Sequence, residues 1–302
     1  LTMLSIIICT YNRSDILDIC LETIAQYYPK EYNVEVVVVD NNSNDSTPKM
    51  LSKLTAKYPW IIKTTETKQG LSYARNRGYK VASNPWVLYL DDDAKIDVNL
   101  FNRAHELISK SVYSCIGGLY IPWYRHEKPK WYRDQWASND IGYTDIQPLK
   151  KHAFASGGIF LVQKSLLEKY NGFDPEYGML GKQLGYGEET DFQRRIRNAG
   201  NVIAFDPKLI VYHLVPPHKM RVKWILLSAF KMGKTYLESV GYPQNRITGL
   251  LSLFVGVSQF LTISIFYLPL LLTPKYYVQN YSVDIARKPA KWIGAFIGTW
   301  SK

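Results

Sequence analysis

Three adjacent carboxylates, Asp91, Asp92 and Asp93, close the apolar run WVLYL at residues 86–90. Side by side they repel one another and are costly to keep ionised unless a cation or solvent compensates. A divalent ion bridging to phosphate oxygens supplies that compensation, because Mg2+ prefers one or two carboxylates plus substrate oxygens to a full protein cage. A solvated acidic turn is the plainer alternative. Position at the end of a strand, within a series of alternating strands and helices, favours the metal. Two further polar clusters close apolar runs in the same way: Thr10, Tyr11, Asn12 and Arg13 after SIIIC, and residues 40–45 after VEVVVV.

The elements that must position these clusters follow from hydrophobic period. Short β-branched runs at residues 5–9, 34–39, 60–65 and 86–90 read as strands. Helix-period segments at residues 14–28, 46–58 and 71–82 separate them, with Ser46 as N-cap and Pro48 early in the second helix. Further on, residues 98–111 and 187–198 read as helices, and residues 114–120, 156–162, 202–205 and 209–212 as strands. The pattern predicts an α/β protein with a Rossmann-like, mostly parallel sheet flanked by helices. In such a sheet ligands bind beyond the strand ends, where helix N-termini leave unsatisfied donors, so the three polar clusters are expected to meet. Residues 122–151 form a long stretch rich in Trp, Tyr and Pro, of a length expected of a functional lid or insertion; its aromatics suit either stacking on sugar rings or packing on the sheet.

Six segments in order, TYNR, VVVVDNNSNDST, GLSYARNRG, LYLDDDA, SGGIFLV and GEETDFQRRIRNAG, resemble the inverting family 2 glycosyltransferases of the GT-A fold, over residues 3–213. The resemblance implies a nucleotide-sugar donor. Thr10, Tyr11, Asn12, Arg13, Asp40 and Asn42 then surround the nucleoside, where Asp40 can accept a uracil N–H and Tyr11 offers a flat face. Gly70, Arg75 and Asn76 lie toward the diphosphate. Asp91 and Asp93 match the two acids of the family's DxD motif, the first toward the ribose and the second on the metal, which implies a Mg2+ or Mn2+ site that Asp91 also borders; Asp91 and Asp92 then count among the donor-binding residues. His213, in VYHLV, is similar to a histidine that completes that site in some members; an ordinary half-buried histidine is the competing assignment.

The same resemblance places the general base in Gly187-Glu188-Glu189-Thr190-Asp191. A sugar hydroxyl is a poor nucleophile at neutral pH, so a carboxylate must take its proton while the metal stabilises the departing nucleoside diphosphate. Family members commonly show Glu-Asp where this chain has Glu188-Glu189, so Glu189 is the aligned residue, with Glu188 and Asp191 also candidates. Acids here equally suit a helix N-terminus, where the macrodipole favours negative charge.

The chain of 302 residues is 46% hydrophobic and 14% aromatic, which excludes a disordered, collagen-like or disulfide-stapled protein. Cys9, Cys20 and Cys115 are widely spaced among apolar residues and read as reduced thiols of a cytosolic environment. Of the net charge of +11, residues 219–302 hold +9, from 11 Lys/Arg against Glu238 and Asp284, and residues 1–218 hold +2. That segregation argues against a nucleic-acid binder, which spreads its basic residues over one face. The basic tail contains an uncharged apolar stretch, residues 247–274, long enough to cross a hydrocarbon core of about 30 Å, with Pro269 as a kink or re-entrant turn. Ahead of it, Trp224, Leu227, Phe230 and Leu237 alternate with Lys223, Lys231 and Lys234, as suits an anionic lipid surface. The N-terminal apolar run is too short for a signal peptide.

These features predict a catalytic domain at residues 1–218 and a membrane-associated region at residues 219–302, at the cytoplasmic face of the cell membrane. The expected partners are a nucleotide-sugar, a glycan or lipid-linked acceptor and membrane lipid, with no nucleic acid. A sugar nucleotidyltransferase of similar architecture would carry a glycine-rich loop after the first strand, where CTYNRSD has none. A non-catalytic scaffold would be expected to lose the acids, yet Asp91, Asp93 and Glu189 are all present.

Overall fold

The computed structural model describes residues 3–181 and 184–300. They fall into two compact units, one of residues 3–123, 138–181 and 188–214, the other of residues 124–137, 184–187 and 215–300.

In the first unit the chain runs β1 (Met3–Thr10), α1 (Ser14–Tyr27), β2 (Asn33–Asp40), α2 (Thr47–Lys57), β3 (Ile61–Thr65), α3 (Leu71–Val81), β4 (Trp86–Asp91), β5 (Ala94–Ile96), α4 (Leu100–Lys110) and β6 (Cys115–Trp123). It continues through β7 (Gln147–Pro148), β8 (Ile159–Gln163), α5 (Lys164–Lys169), α6 (Glu188–Asn198) and β9 (Ala204–Leu214). The sheet order is β3-β2-β1-β4-β8-β6-β9-β5, with β7 on β9. β3, β2, β1 and β4 are mutually parallel, β9 is parallel to β6, and β8 runs antiparallel between β4 and β6. The expected α/β fold with a mostly parallel, helix-flanked sheet is therefore present.

Both faces of this sheet are covered, which is why its strands are continuous apolar runs rather than alternating ones. Ile6, Ile8, Val36, Val38 and Leu88 face α1, α2 and α4, while Ile7, Val37, Val87 and Tyr89 face α3, α5 and α6. α3 lies so close to the sheet that a β-carbon on Gly78 would sit 2.4 Å from Ile7 Cγ2. Register brings the strand ends level, pairing Thr10 with Asp40 and Cys9 with Asp91. Burial drives the Cys20 and Cys115 thiols well up, out of reach of neutral-pH chemistry.

Some elements differ from the sequence expectation. In place of two short strands at 202–205 and 209–212 there is the single β9 over Ala204–Leu214, because Pro207 is absorbed where the pairing with β6 steps from Gly118–Asp206 to Leu119–Ile210. Residues 156–158 belong to a turn ahead of β8. Ser46 does occupy the N-cap position of α2 with Pro48 in its first turn, but its hydroxyl makes no cap bond; the Thr47 N–H donates instead to Asp45 Oδ1 at 2.9 Å.

The second unit contains α7 (Val222–Ser239), α8 (Arg246–Tyr267) followed by a 3-10 turn (Leu268–Leu272), and α9 (Val278–Trp300). Asn245 and Thr248 close a reciprocal capping box at the start of α8. α9 packs on both α7 and α8. Between α7 and α9 the backbones touch, since β-carbons on Gly233, Gly294 and Gly298 would lie 1.9–2.1 Å from the carbonyl oxygens of Lys291, Phe230 and Lys234. Trp131, Tyr132 and Trp136 pack with Val215, Met220, Ile225 and Val283, so these aromatics of residues 124–137 serve a small apolar core. Among the described residues, Arg246–Leu272 is the helical stretch long and apolar enough to cross a bilayer, and Phe254, Ile265, Phe266 and Leu272 on it are exposed.

Candidate active site

The three polar clusters at the ends of β1, β2 and β4 do meet. Asn12 accepts the Asn44 N–H at 2.8 Å through Oδ1, and its own N–H donates to Ser43 Oγ at 2.9 Å. A left-handed backbone at Asn12 and Asn42, φ 53° and 62°, makes both turns tight. Asp40 is buried and accepts the Ser43 N–H at 2.9 Å. Tyr11 is half-buried beside this turn in sequence, while Asn42 is exposed.

The three consecutive aspartates diverge, because the chain leaves β4 at Asp91 and turns through Asp92 and Asp93 before β5. Asp92 is buried and accepts from Thr10 Oγ1 at 2.8 Å and Arg13 Nη1 at 2.5 Å. Burial pushes its carboxyl up to about 7, with Arg13 opposing. Burial also works against the Arg13 cation, but Asp92 and Asp93 outweigh it and hold the guanidinium firmly charged. Arg13 Nη2 reaches Asp93 Oδ2 at 2.8 Å. The structure thus spends Arg13 and Asp92 on shaping the strand end.

Asp91 and Asp93 turn toward His213, whose Nε2 lies 3.4 Å from Asp91 Oδ2 and 3.1 Å from Asp93 Oδ1. β9 delivers the histidine, since its pairing with β5 sets His213 opposite Ala94, one residue beyond Asp93. One ligand atom from each of Asp91, Asp93 and His213 lies within 4.8 Å of the others. Two carboxylate oxygens and an imidazole nitrogen in that space fit Mg2+ or Mn2+, the nitrogen favouring the transition metal.

Arg75 joins this trio to the acids of α6. It is buried, with Nη2 3.9 Å from Asp91 Oδ1 and Nη1 2.8 Å from Glu188 Oε1. Nη2 also donates to the Gly157 carbonyl at 3.2 Å, and the guanidinium lies over the Phe173 ring at 5.4 Å. Burial opposes the Arg75 charge, yet Glu188, Glu189 and Asp91 keep it raised. Glu188 is itself buried, and burial together with Glu189 pushes its carboxyl up to about 8 against the pull of Arg75.

Glu189 is half-buried. Asp191 is engaged on both oxygens, by Arg194 at 2.5 Å and Arg195 at 2.7 Å, one turn along its own helix. Gly70 opens α3 with φ 143°, and the Leu71 N–H donates to the Met179 carbonyl at 2.9 Å. Asn76 exchanges two bonds with the Phe173 backbone, at 2.7 and 2.8 Å, so its amide ties α3 to the turn that follows α5.

A raised carboxyl carries a stability signature. The Glu188 proton is held by the fold and released by the unfolded chain between the ordinary value of 4.5 and about 8. Stability from this group is thus full below the lower value and declines as pH rises through the window. Thermal melts of the wild type are expected to fall from pH 5.5 to pH 8.5 by more than those of Glu188→Gln; equal slopes would refute the assignment.

Three contributors were not anticipated from sequence. Asn41, buried, accepts the Gly70 N–H at 2.9 Å and donates to the carbonyls of Glu66 and Lys68 at 3.0 and 2.7 Å, tying β2 to the start of α3. A β-carbon on Gly157 would sit 2.5 Å from Arg75 Nη2, and one on Gly158 would sit 2.8 Å from Asp91 Oδ2. The SGG string was legible as a motif, but only the packing shows that its glycines make room for these two side chains.

Comparison with known proteins identifies the family. A model of the family "Glycosyl transferase family 2" matches residues 5–171. Glycosyltransferase AglE of Haloferax volcanii is 32% identical over 243 residues, covering 79% of this chain and 74% of that protein. Succinoglycan biosynthesis protein ExoM of Rhizobium meliloti is 25% identical over 240 residues, covering 76% and 72%. Among solved structures, a mannosyltransferase of Pyrobaculum calidifontis in complex with GDP-Man and Mn2+ superposes with a TM-score of 0.66 at 16% identity, covering 99% of this chain and 88% of that one. Staphylococcus aureus TarS in complex with UDP-GlcNAc gives 0.55 at 18%, covering 76% and 66%. These two likenesses speak to the GT-A fold alone. With the family match extending over more than half of its length, the chain belongs to glycosyl transferase family 2.

Proposed function

We propose that this glycosyltransferase moves a sugar, with inversion, from a nucleotide-sugar, UDP-linked by preference, to a hydroxyl of a glycan or lipid-linked acceptor in polysaccharide or glycoconjugate synthesis. The observation that carries the reading is Arg75, a buried cation standing between Asp91 and Glu188. A guanidinium there suits a diphosphate on one side and a reacting hydroxyl on the other. Tyr11 and Asp40 receive the nucleoside, the carboxylate accepting a ring N–H.

Asp91, Asp93 and His213 would hold Mg2+ or Mn2+, which when bound supplies positive charge to the departing diphosphate. Glu189 is assigned as the base. Glu188 is buried against Arg75 and Asp191 is occupied by two arginines, which leaves Glu189 as the more accessible acid of the three. Its carboxylate takes the acceptor hydroxyl proton as that oxygen bonds to the anomeric carbon and the bond to the diphosphate breaks on the opposite face. Residues 1–218 perform this chemistry. Residues 219–302 attach it to the cytoplasmic membrane face, a reading supported by the exposed apolar side chains of α8 and by the basic charge around it.

A binding screen of nucleoside diphosphates and their sugars, each with Mg2+, Mn2+ or EDTA, tests the donor. Uridine compounds are expected to bind more tightly than guanosine or thymidine ones, and only with metal. Metal-independent binding would overturn the proposed site. A glycoside product with retained anomeric configuration, read by NMR, would overturn the single displacement.

A further inference from the structure

The second unit holds a cavity of about 280 Å3, lined by Gln135, Trp136, Ile263, Tyr267, Val283, Asp284, Arg287 and Lys288. One wall is apolar and includes two residues near the end of the bilayer-length stretch, Ile263 and Tyr267. Arg287 and Lys288 make another part of the lining cationic. Asp284 adds no net negative charge, because Arg133 lies 3.0 Å from its Oδ2 and the Tyr276 hydroxyl donates to the same oxygen at 3.0 Å. Among the described residues Arg287 and Lys288 form no ion pair, so two positive charges face the cavity uncompensated. Pro289 begins the next turn, and both side chains are exposed.

An apolar wall beside two unneutralised cations is the chemistry that recognises an anion carrying a hydrocarbon chain. The guanidinium supplies a planar fork for phosphate oxygens, the ammonium a point charge, and Gln135 and the Tyr267 hydroxyl further donors. A cavity just below the usual small-ligand range suits a headgroup and not a whole lipid. α8 and the 3-10 turn after it then offer exposed Ile265, Phe266 and Leu268 to the attached chain.

We infer that this cavity seats the phosphate headgroup of a membrane lipid, held by Arg287 and Lys288 with the lipid chain against α8. The inference rests on the membrane-attachment reading of residues 219–302 and adds to it a specific lipid chemistry.

The test uses the full chain and sedimentation with vesicles of three compositions: phosphatidylcholine alone, phosphatidylcholine with phosphatidic acid, and phosphatidylcholine with phosphatidylserine at matched surface charge. The wild type is expected to bind all three, and phosphatidic acid vesicles roughly tenfold more tightly than phosphatidylserine ones, since two basic contacts to a localised phosphate exceed diffuse attraction. Arg287→Gln with Lys288→Gln should abolish that preference and leave neutral-vesicle binding unchanged. Lys275→Gln, an exposed basic residue that does not line the cavity, should keep it.

Equal affinity of the wild type for the two anionic vesicles would overturn the inference without needing any variant. So would an equal loss in Lys275→Gln. Inorganic phosphate that competes at submillimolar concentration would overturn the lipid as source in favour of a free anion, and failure to compete supports the lipid. No binding even to neutral vesicles would sink the membrane reading itself, an outcome distinct from lost preference.

Discussion

Asp93→Asn is expected to lower kcat/KM for sugar transfer by about a thousandfold or more, the scale on which an active site loses a preorganised electrostatic group. The substitution keeps the side-chain shape, and Asp92 continues to hold Arg13 through a 2.5 Å bond, so the melting temperature should move little. What it removes is one of the two carboxylates that share His213 and the candidate cation site. Titration of Mn2+ by calorimetry separates the causes: weakened metal binding with an intact fold supports the assignment, and unchanged activity in EDTA or in the variant refutes it. Asp92→Asn supplies the contrast. Its carboxylate faces Thr10 and Arg13, so its loss should tell on stability and donor affinity before it tells on metal binding.

Glu189→Gln should lower kcat by about 100- to 10,000-fold while leaving the affinity for nucleotide and metal nearly unchanged, as removal of a general base does. Glu188→Gln should behave differently. Arg75 Nη1 loses its carboxyl acceptor at 2.8 Å, and the guanidinium is left buried beside Asp91 at 3.9 Å, so donor affinity and melting temperature should fall together. Steady-state kinetics with donor varied, set beside melts of each variant, distinguish the two. If Glu188→Gln lost kcat alone and Glu189→Gln lost donor affinity, the roles would be exchanged. Asp191→Asn should act through stability, since Arg194 and Arg195 are its partners.

How far the sequence alone reached follows from what each segment had to satisfy. β1, β2 and β4 are buried on both faces, so their runs are uninterrupted and their ends are marked by the first polar residue. The meeting of Thr10 to Arg13 with the aspartates was therefore legible. β5 is three residues long and β7 two, too short to carry a period. The reversal of β8 cannot be read from its residues, because IFLVQ suits either direction. α9 escaped notice because Pro289, Asp284, Arg287 and Lys288 interrupt its apolar positions, and its closest contacts use glycines, which carry no hydrophobic signal. Asn41 is the sharpest case: by residue type it is indistinguishable from Asn42, yet one is buried with its amide spent on three backbone groups and the other is exposed.

Helices whose carbonyl oxygens rest against a neighbour's α-carbons, as α7 and α9 do at Gly233, Gly294 and Gly298, leave no gap for a detergent tail or a water molecule to pry open. Detergent should therefore leave this pair still zipped. Any inserted methyl group along the seam works as a wedge, so a mild Gly294→Ala change becomes a handle for deciding whether the pair must stay closed for the protein to be recovered at all.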